Sequence, residues 1–193
     1  MTGRRAPARG RLTAGQARPS HRGTGRSSSL AAERLSDDLR LGSEDFLPQR
    51  RRLAALTLGA MAAYIVVAAY QFGLISRVPE PRVPGLDASR VDASGEAYAA
   101  GHTPDAALGL LSAGITLVLA GMRDRHRHAA CPWHPLAVAG KAGADAAGSL
   151  LLFAEQLTRH RRVCSWCTLA AALNLAAVPM AWPEASAAWH ALR

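Results

Sequence analysis

Apolar positions in this chain are gathered into four blocks, with charge concentrated before and between them. The first block, residues 53–75, carries no charge until it ends and follows Arg50-Arg51-Arg52 directly. About 20 apolar residues rising ~1.5 Å each cross a hydrocarbon core of roughly 30 Å, so the block predicts a spanning helix. Tyr70 and Phe72 at its far end suit an interfacial aromatic belt. The second block, residues 104–122, opens on Pro104, a favourable first helical residue, with Asp105 near the positive end of the helix dipole. Gly109 and Gly114 allow a neighbouring helix to approach closely. The third block, residues 136–156, is the least apolar and follows a tight turn, Cys131-Pro132-Trp133-His134-Pro135. Gly140, Gly143, Ala144, Ala147 and Gly148 give it a small-residue packing face. Lys141 and Asp145 are four apart and can pair on one side, as charges inside a membrane usually must. The fourth block runs from Cys164 to about Trp182, with Asn174 inside it and Pro179 near its end.

The segments between the blocks read differently. Residues 1–49 are rich in Arg, Gly, Ser, Pro and Thr, too polar to offset their ordering entropy, and predict a disordered tail; only 28–40 can form a short helix. A secretory signal is not expected, because the first apolar run starts late and no small-residue cleavage site follows it promptly. In the connector, 76–103, the proline-rich stretch 78–85 excludes helix and interior strand. Residues 86–98 can carry one short helix, with Ser94 placed to cap its last turns. A connector of this length can fold back over a membrane site as a lid. The fold class that follows is all-α and integral to a membrane: a four-transmembrane-helix bundle over 50–185, the basic tail before it, and a short C-terminal tail over 186–193.

Charge orients this bundle. The net charge is +9, and 12 of the 23 Lys and Arg residues precede residue 53. Arg123, Arg125 and Arg127 follow the second block at once. The positive-inside bias therefore places both termini in the cytoplasm and the 157–163 loop outside. Arg159, Arg161 and Arg162 on that loop run against the bias but are outweighed. The tail can hold anionic lipid. With Phe46 as its one aromatic, no nucleic acid is expected as a partner.

The chemistry is concentrated in Arg161-Arg162-Val163-Cys164-Ser165-Trp166-Cys167-Thr168. Two cysteines in C-x-x-C spacing can close a small disulfide ring, and their thiolates are favoured by a helix N-terminus and by nearby cations. A helix start and three arginines both lie here, which suits a redox dithiol in which Arg161 and Arg162 favour the thiolate. Inert apolar thiols on a membrane scaffold are the alternative. Thr168 stands where c-type haem attachment needs histidine, so no haem is expected. A closed zinc site needs four ligands, and Cys131 and His134 fall on the opposite side of the membrane, so no metal is expected. Cys131 reads as a lone cytoplasmic thiol, and His126, His128 and His134 as interfacial histidines. His160, four residues before the dithiol, can either help hold a thiolate or stand in solvent.

Four spans, a long first outer loop and a C-x-x-C opening the fourth span resemble the vitamin K epoxide reductase family. Two stretches carry the resemblance: Gly101-His102-Thr103-Pro104-Asp105-Ala106-Ala107-Leu108-Gly109 at the start of the second span, and Val163-Cys164-Ser165-Trp166-Cys167-Thr168. The Arg-rich turn after the second span also fits, and the likeness covers about residues 50–185. It implies an integral membrane thiol oxidoreductase that couples a quinone to a dithiol–disulfide pair. By that analogy Cys167 stands nearest the quinone and Cys164 exchanges with an upstream disulfide. Asp105 falls where some members place an asparagine that contacts the quinone carbonyl. Asn174, two turns after Cys167, faces the same side and can line the pocket. The chain departs from the family at two points. Residues 76–103 contain no cysteine, so the usual shuttle pair is missing. Either a thioredoxin-like partner meets Cys164 directly on the outer face, or the chain works without that relay. A tyrosine that some members carry in the fourth span is replaced by Ala171.

Overall fold

The computed structural model describes residues 29–193, apart from residue 44. The stretch of the basic tail before residue 29 lies outside the described residues. Among them the chain is helical: α1 Leu30–Leu41, α2 Leu47–Gln71, α3 Ala88–Asp92, α4 Asp105–Gly121, α5 Arg127–Ala130, α6 Trp133–Glu155 and α7 Ser165–Ala191. Three segments are long and apolar enough to cross a membrane, α2, Trp133–His160 and α7. The fourth apolar helix, α4, has 17 residues, or about 25 Å at the usual rise.

α2 packs along α4 and α7, and α6 packs along α7. The seams are built largely from alanine: Ala60, Ala63, Ala120, Ala142, Ala177, Ala181 and Ala188 are all buried. Small side chains let backbones approach, which is where helices gain contact in a solvent as apolar as their own leucines. The larger residues point outward. Leu58, Ile65, Leu111, Val118 and Leu151 are at least half exposed, a surface suited to lipid.

Gly109 meets the close approach expected of it. A Cβ there would lie 2.7 Å from the Tyr64 ring. The other predicted packing glycines do not. Nothing lies within 4 Å of a Cβ built at Gly114, Gly140, Gly143 or Gly148. The α6 stripe borders open space, because alanines at 142 and 146, on the adjoining face, make the contact instead.

The short helix that the sequence allowed at 28–40 forms as α1, with Ser29 capping its N-terminus through the Ala32 amide. The ends of the bundle differ from the sequence expectation in two places. α3 is capped by Asp87, whose side chain accepts from the Arg90 amide, and Ser94 makes no such bond. The fourth helix does not stop near Trp182. It runs through Pro179 and Pro183 to Ala191, absorbing most of the expected C-terminal tail.

The reason for that extension is Glu184. It is 4% exposed and is held by two arginines: Arg50 at the start of α2 and Arg127 in α5. Two guanidinium groups exceed one carboxylate by a charge. Carbonyls at the negative end of the α4 dipole take up the excess. Arg127 donates to Leu119, Ala120 and Met122, and Arg50 to Asp124. The cluster ties α2, α4, α5 and α7 at the end of the bundle away from the dithiol.

Candidate functional site

Cys164 is the N-cap of α7, and its sulfur accepts from the Cys167 amide at 3.1 Å. The C-x-x-C therefore opens a helix, as its sequence suggested, with one thiol facing the positive end of the dipole. The Cys164 amide is itself held by Gln156 Oε1, in the π-helical turn that ends α6.

The connector folds back over this helix start. Leu86 and Val163 form a parallel bridge through Asp87 N–H to Val163 O and Val163 N–H to Gly85 O. Trp166 Nε1 donates to the Pro79 carbonyl at 2.6 Å. Glu80 accepts from the Ala88 amide with one oxygen and from the Ser165 hydroxyl with the other. Tyr70 holds the connector from below through the Ser89 carbonyl. The result leaves Cys164 0% exposed, beneath Val78, Ala88 and Val91.

Both thiols address Asp92, at the end of α3. Cys164 Sγ donates to Oδ2 at 3.2 Å and Cys167 Sγ to Oδ1 at 3.3 Å. Burial pushes the Asp92 carboxyl up to about 6; the two thiol hydrogen bonds pull it down, and the charges of Asp105 and Glu80 push it up again. The arginines do not fill the role expected of them. Arg161 and Arg162 are exposed, and Arg159 pairs with Glu155 and Glu96. The charge set against the sulfurs is a carboxylate.

The two sulfurs and an Asp92 oxygen lie within 4.8 Å of one another. Three donors fall one short of a closed structural zinc site. Within the trio both thiols donate to the Asp92 carboxylate. Cys131 precedes α6 and His134 lies in its first turn, roughly 35 Å of helix away from Gln156.

A cavity of about 460 Å³ opens between α2, α4, α6 and the connector, with Cys167 in its wall and Cys164 outside it. Asp92, Asp105 and Asn174 line the same cavity, as do His160 and Tyr64. Asp105 accepts from Gln71 Nε2 at 2.7 Å. Asn174 Nδ2 donates to the Tyr64 hydroxyl and to Ser149. Deeper in the wall, Asp145 pairs with Lys141 as the spacing predicted, and also accepts from Ser112 and Thr116 on α4. Asp92 and Tyr64 were not singled out from the sequence. Neither carries a local signal: Asp92 is one of four acids in the connector, and Tyr64 one aromatic in an apolar run.

The family comparison joins these observations. Residues 52–182 match the vitamin K epoxide reductase family, about two thirds of the chain. The chain belongs to that family. No curated protein sequence matches it closely enough to count as a relative. Membership makes this vitamin K epoxide reductase family chain an integral membrane protein of the thiol oxidoreductase class. The connector contains no cysteine. The segment over the dithiol meets the two sulfurs with the carboxylate of Asp92.

Proposed function

We propose that the chain is a quinone-linked thiol–disulfide oxidoreductase in which Cys164 and Cys167 cycle between dithiol and disulfide. The observation that carries the reading is the unequal placement of the two sulfurs. Cys167 faces a cavity large enough for a quinone ring, while Cys164 is buried under the connector. In this reading Cys167 meets the quinone and Cys164 exchanges with the partner thiol.

The cavity wall suits a flat, mainly apolar ring with a carbonyl at each end. Val67, Ala113, Leu108 and Leu152 supply apolar contact. Tyr64 and Ser149 both accept from Asn174 and are bonded to each other, so the group keeps one hydroxyl hydrogen to donate to a quinone oxygen. Asp105, tied to Gln71, borders the connector side of the same space. The quinone supplies the two-electron couple; the chain supplies the dithiol, the binding walls and a place for the protons.

The four apolar helices are read as four spans, with both termini cytoplasmic and the dithiol near the outer face. The Arg50–Glu184–Arg127 cluster then lies at the cytoplasmic end, and the connector is the surface that a thioredoxin-like partner meets. Because Cys164 is buried, that partner reaches it only when the connector lifts. The basic tail rests on anionic lipid.

The test is purified protein in lipid nanodiscs with a short-chain quinone and a dithiol, followed by quinone absorbance. Wild type turns over, and Cys167→Ser falls to background. Full turnover in Cys167→Ser, or a Cys164–Cys167 pair whose alkylation state never changes with quinone, replaces this reading with that of a membrane scaffold whose cysteines are structural.

A further inference from the structure

The connector brings one carboxylate against both reacting sulfurs, and the cavity begins at the same place. Asp92 is 1% exposed, so its charge has no direct access to solvent. Its two oxygens are divided between the thiols, Oδ2 to Cys164 and Oδ1 to Cys167. It also lines the cavity together with Cys167. A buried carboxylate that accepts from two thiols and borders the acceptor's space stands on the path the protons must take.

We propose that Asp92 is the catalytic proton acceptor of the dithiol, taking each thiol proton in turn and passing it into the cavity toward the quinone. This rests on the quinone-linked reading above. In the oxidising direction two S–H bonds break and one S–S bond forms. The electron pair leaves to the quinone, which gains two protons and becomes the quinol. The Cys167 proton moves first, to Oδ1, as its sulfur becomes a thiolate facing the cavity. As the Cys167 thiolate gives electron density to the quinone, Asp92 releases that proton to the quinone oxygen on which charge builds. It then takes the Cys164 proton on Oδ2 as that sulfur attacks Cys167 and the disulfide closes, and passes it on as the second proton of the quinol. In the reducing direction the same carboxyl returns the protons to the sulfurs.

The other ionisable groups nearby are committed elsewhere. Glu80 is divided between the Ala88 amide and the Ser165 hydroxyl. Asp105 accepts from Gln71. Glu96 and Glu155 face Arg159 across the cavity rim. His160 lines the cavity, and the sulfurs' hydrogen bonds go to Asp92 and to the Cys167 amide instead. Among the described residues, Asp92 is the carboxylate that accepts from both sulfurs. A positioned general base contributes about 10²–10⁴-fold.

The experiment compares wild type, Asp92→Asn and Asp92→Glu in nanodiscs between pH 5 and 8. Three rates are read: quinone turnover, disulfide closure by a small oxidised dithiol, and alkylation of Cys167. The base must be ionised to work, so wild-type turnover rises with pH through about 6. Asp92→Asn lowers turnover about 100-fold and abolishes that rise. Its Cys167 is alkylated at least as fast as in wild type, because a negative charge beside the thiolate is gone. Asp92→Glu recovers part of the rate and the pH dependence. An Asp92→Asn variant with wild-type turnover and pH profile overturns the proposal. So does loss of turnover together with loss of alkylation and no rescue by Asp92→Glu, which marks a structural role. If wild type turns over no quinone, the quinone reading fails, and the closure series judges Asp92 by itself. An inflection near pH 6 that Asp92→Asn removes upholds the proposal; a shared profile overturns it.

Discussion

Asp92 and Cys167 stand 75 residues apart in the chain and meet at 3.3 Å, carboxylate oxygen to thiol sulfur. The contact joins the connector to the first turn of α7, so the state of the carboxyl and the seating of the connector are one question.

Stability should record that carboxyl. Its value of about 6 lies above the ordinary 3.8, so the folded state binds a proton that the unfolded state has released. Between those values stability rises as pH falls, by on the order of 3 kcal/mol in full. The wild-type unfolding temperature, measured in detergent, should therefore rise relative to Asp92→Asn as pH is lowered from 7.5 to 5. At pH 7.5 Asp92→Asn should be the more stable of the two, since the buried charge is gone. Parallel curves would show that Asp92 keeps an ordinary carboxyl.

Access to Cys164 should depend on Glu80, which fastens the connector to α7. A hydrogen bond to a charged group contributes about 1.5–3 kcal/mol. Losing these bonds in Glu80→Ala should make opening of the connector at least tenfold more frequent. Alkylation of Cys164, quantified by peptide mass spectrometry, should accelerate by the same factor while Cys167 changes little. Equal Cys164 rates in the two proteins would mean that the connector opens by another hinge.

The cluster at the far end should matter for stability and not for chemistry. Glu184→Gln leaves two buried guanidinium groups without their counter-charge. Removing one partner from such a cluster costs about 3–5 kcal/mol. Thermal unfolding in detergent should show that loss, with turnover per folded molecule unchanged, because Glu184 lies roughly 30 Å of helix from Cys164. A variant of wild-type stability would place the holding energy in the α2–α7 seam instead.

The sequence by itself determined the four apolar helices, the C-x-x-C at a helix start and the Lys141–Asp145 pair. Each depends on neighbours within one or two turns, and hydrophobic runs and i, i+4 spacing record such neighbours directly. It also held one unread sign: Glu184 is the single acid in residues 164–193. A lone acid in so apolar a stretch asks for a buried partner, yet the apolar pattern predicts an end to the fourth block at about Trp182. Tertiary structure alone decided that α7 continues, because the partners are Arg50 and Arg127, far off in sequence. It alone decided that Asp92, rather than Arg161 or Arg162, faces the sulfurs. Charges close in sequence can point to solvent, and one 75 residues away can be folded against the thiol. Which of the connector's acids arrives there is fixed by the Glu80, Tyr70 and Trp166 bonds that seat it, and no local pattern encodes that seating.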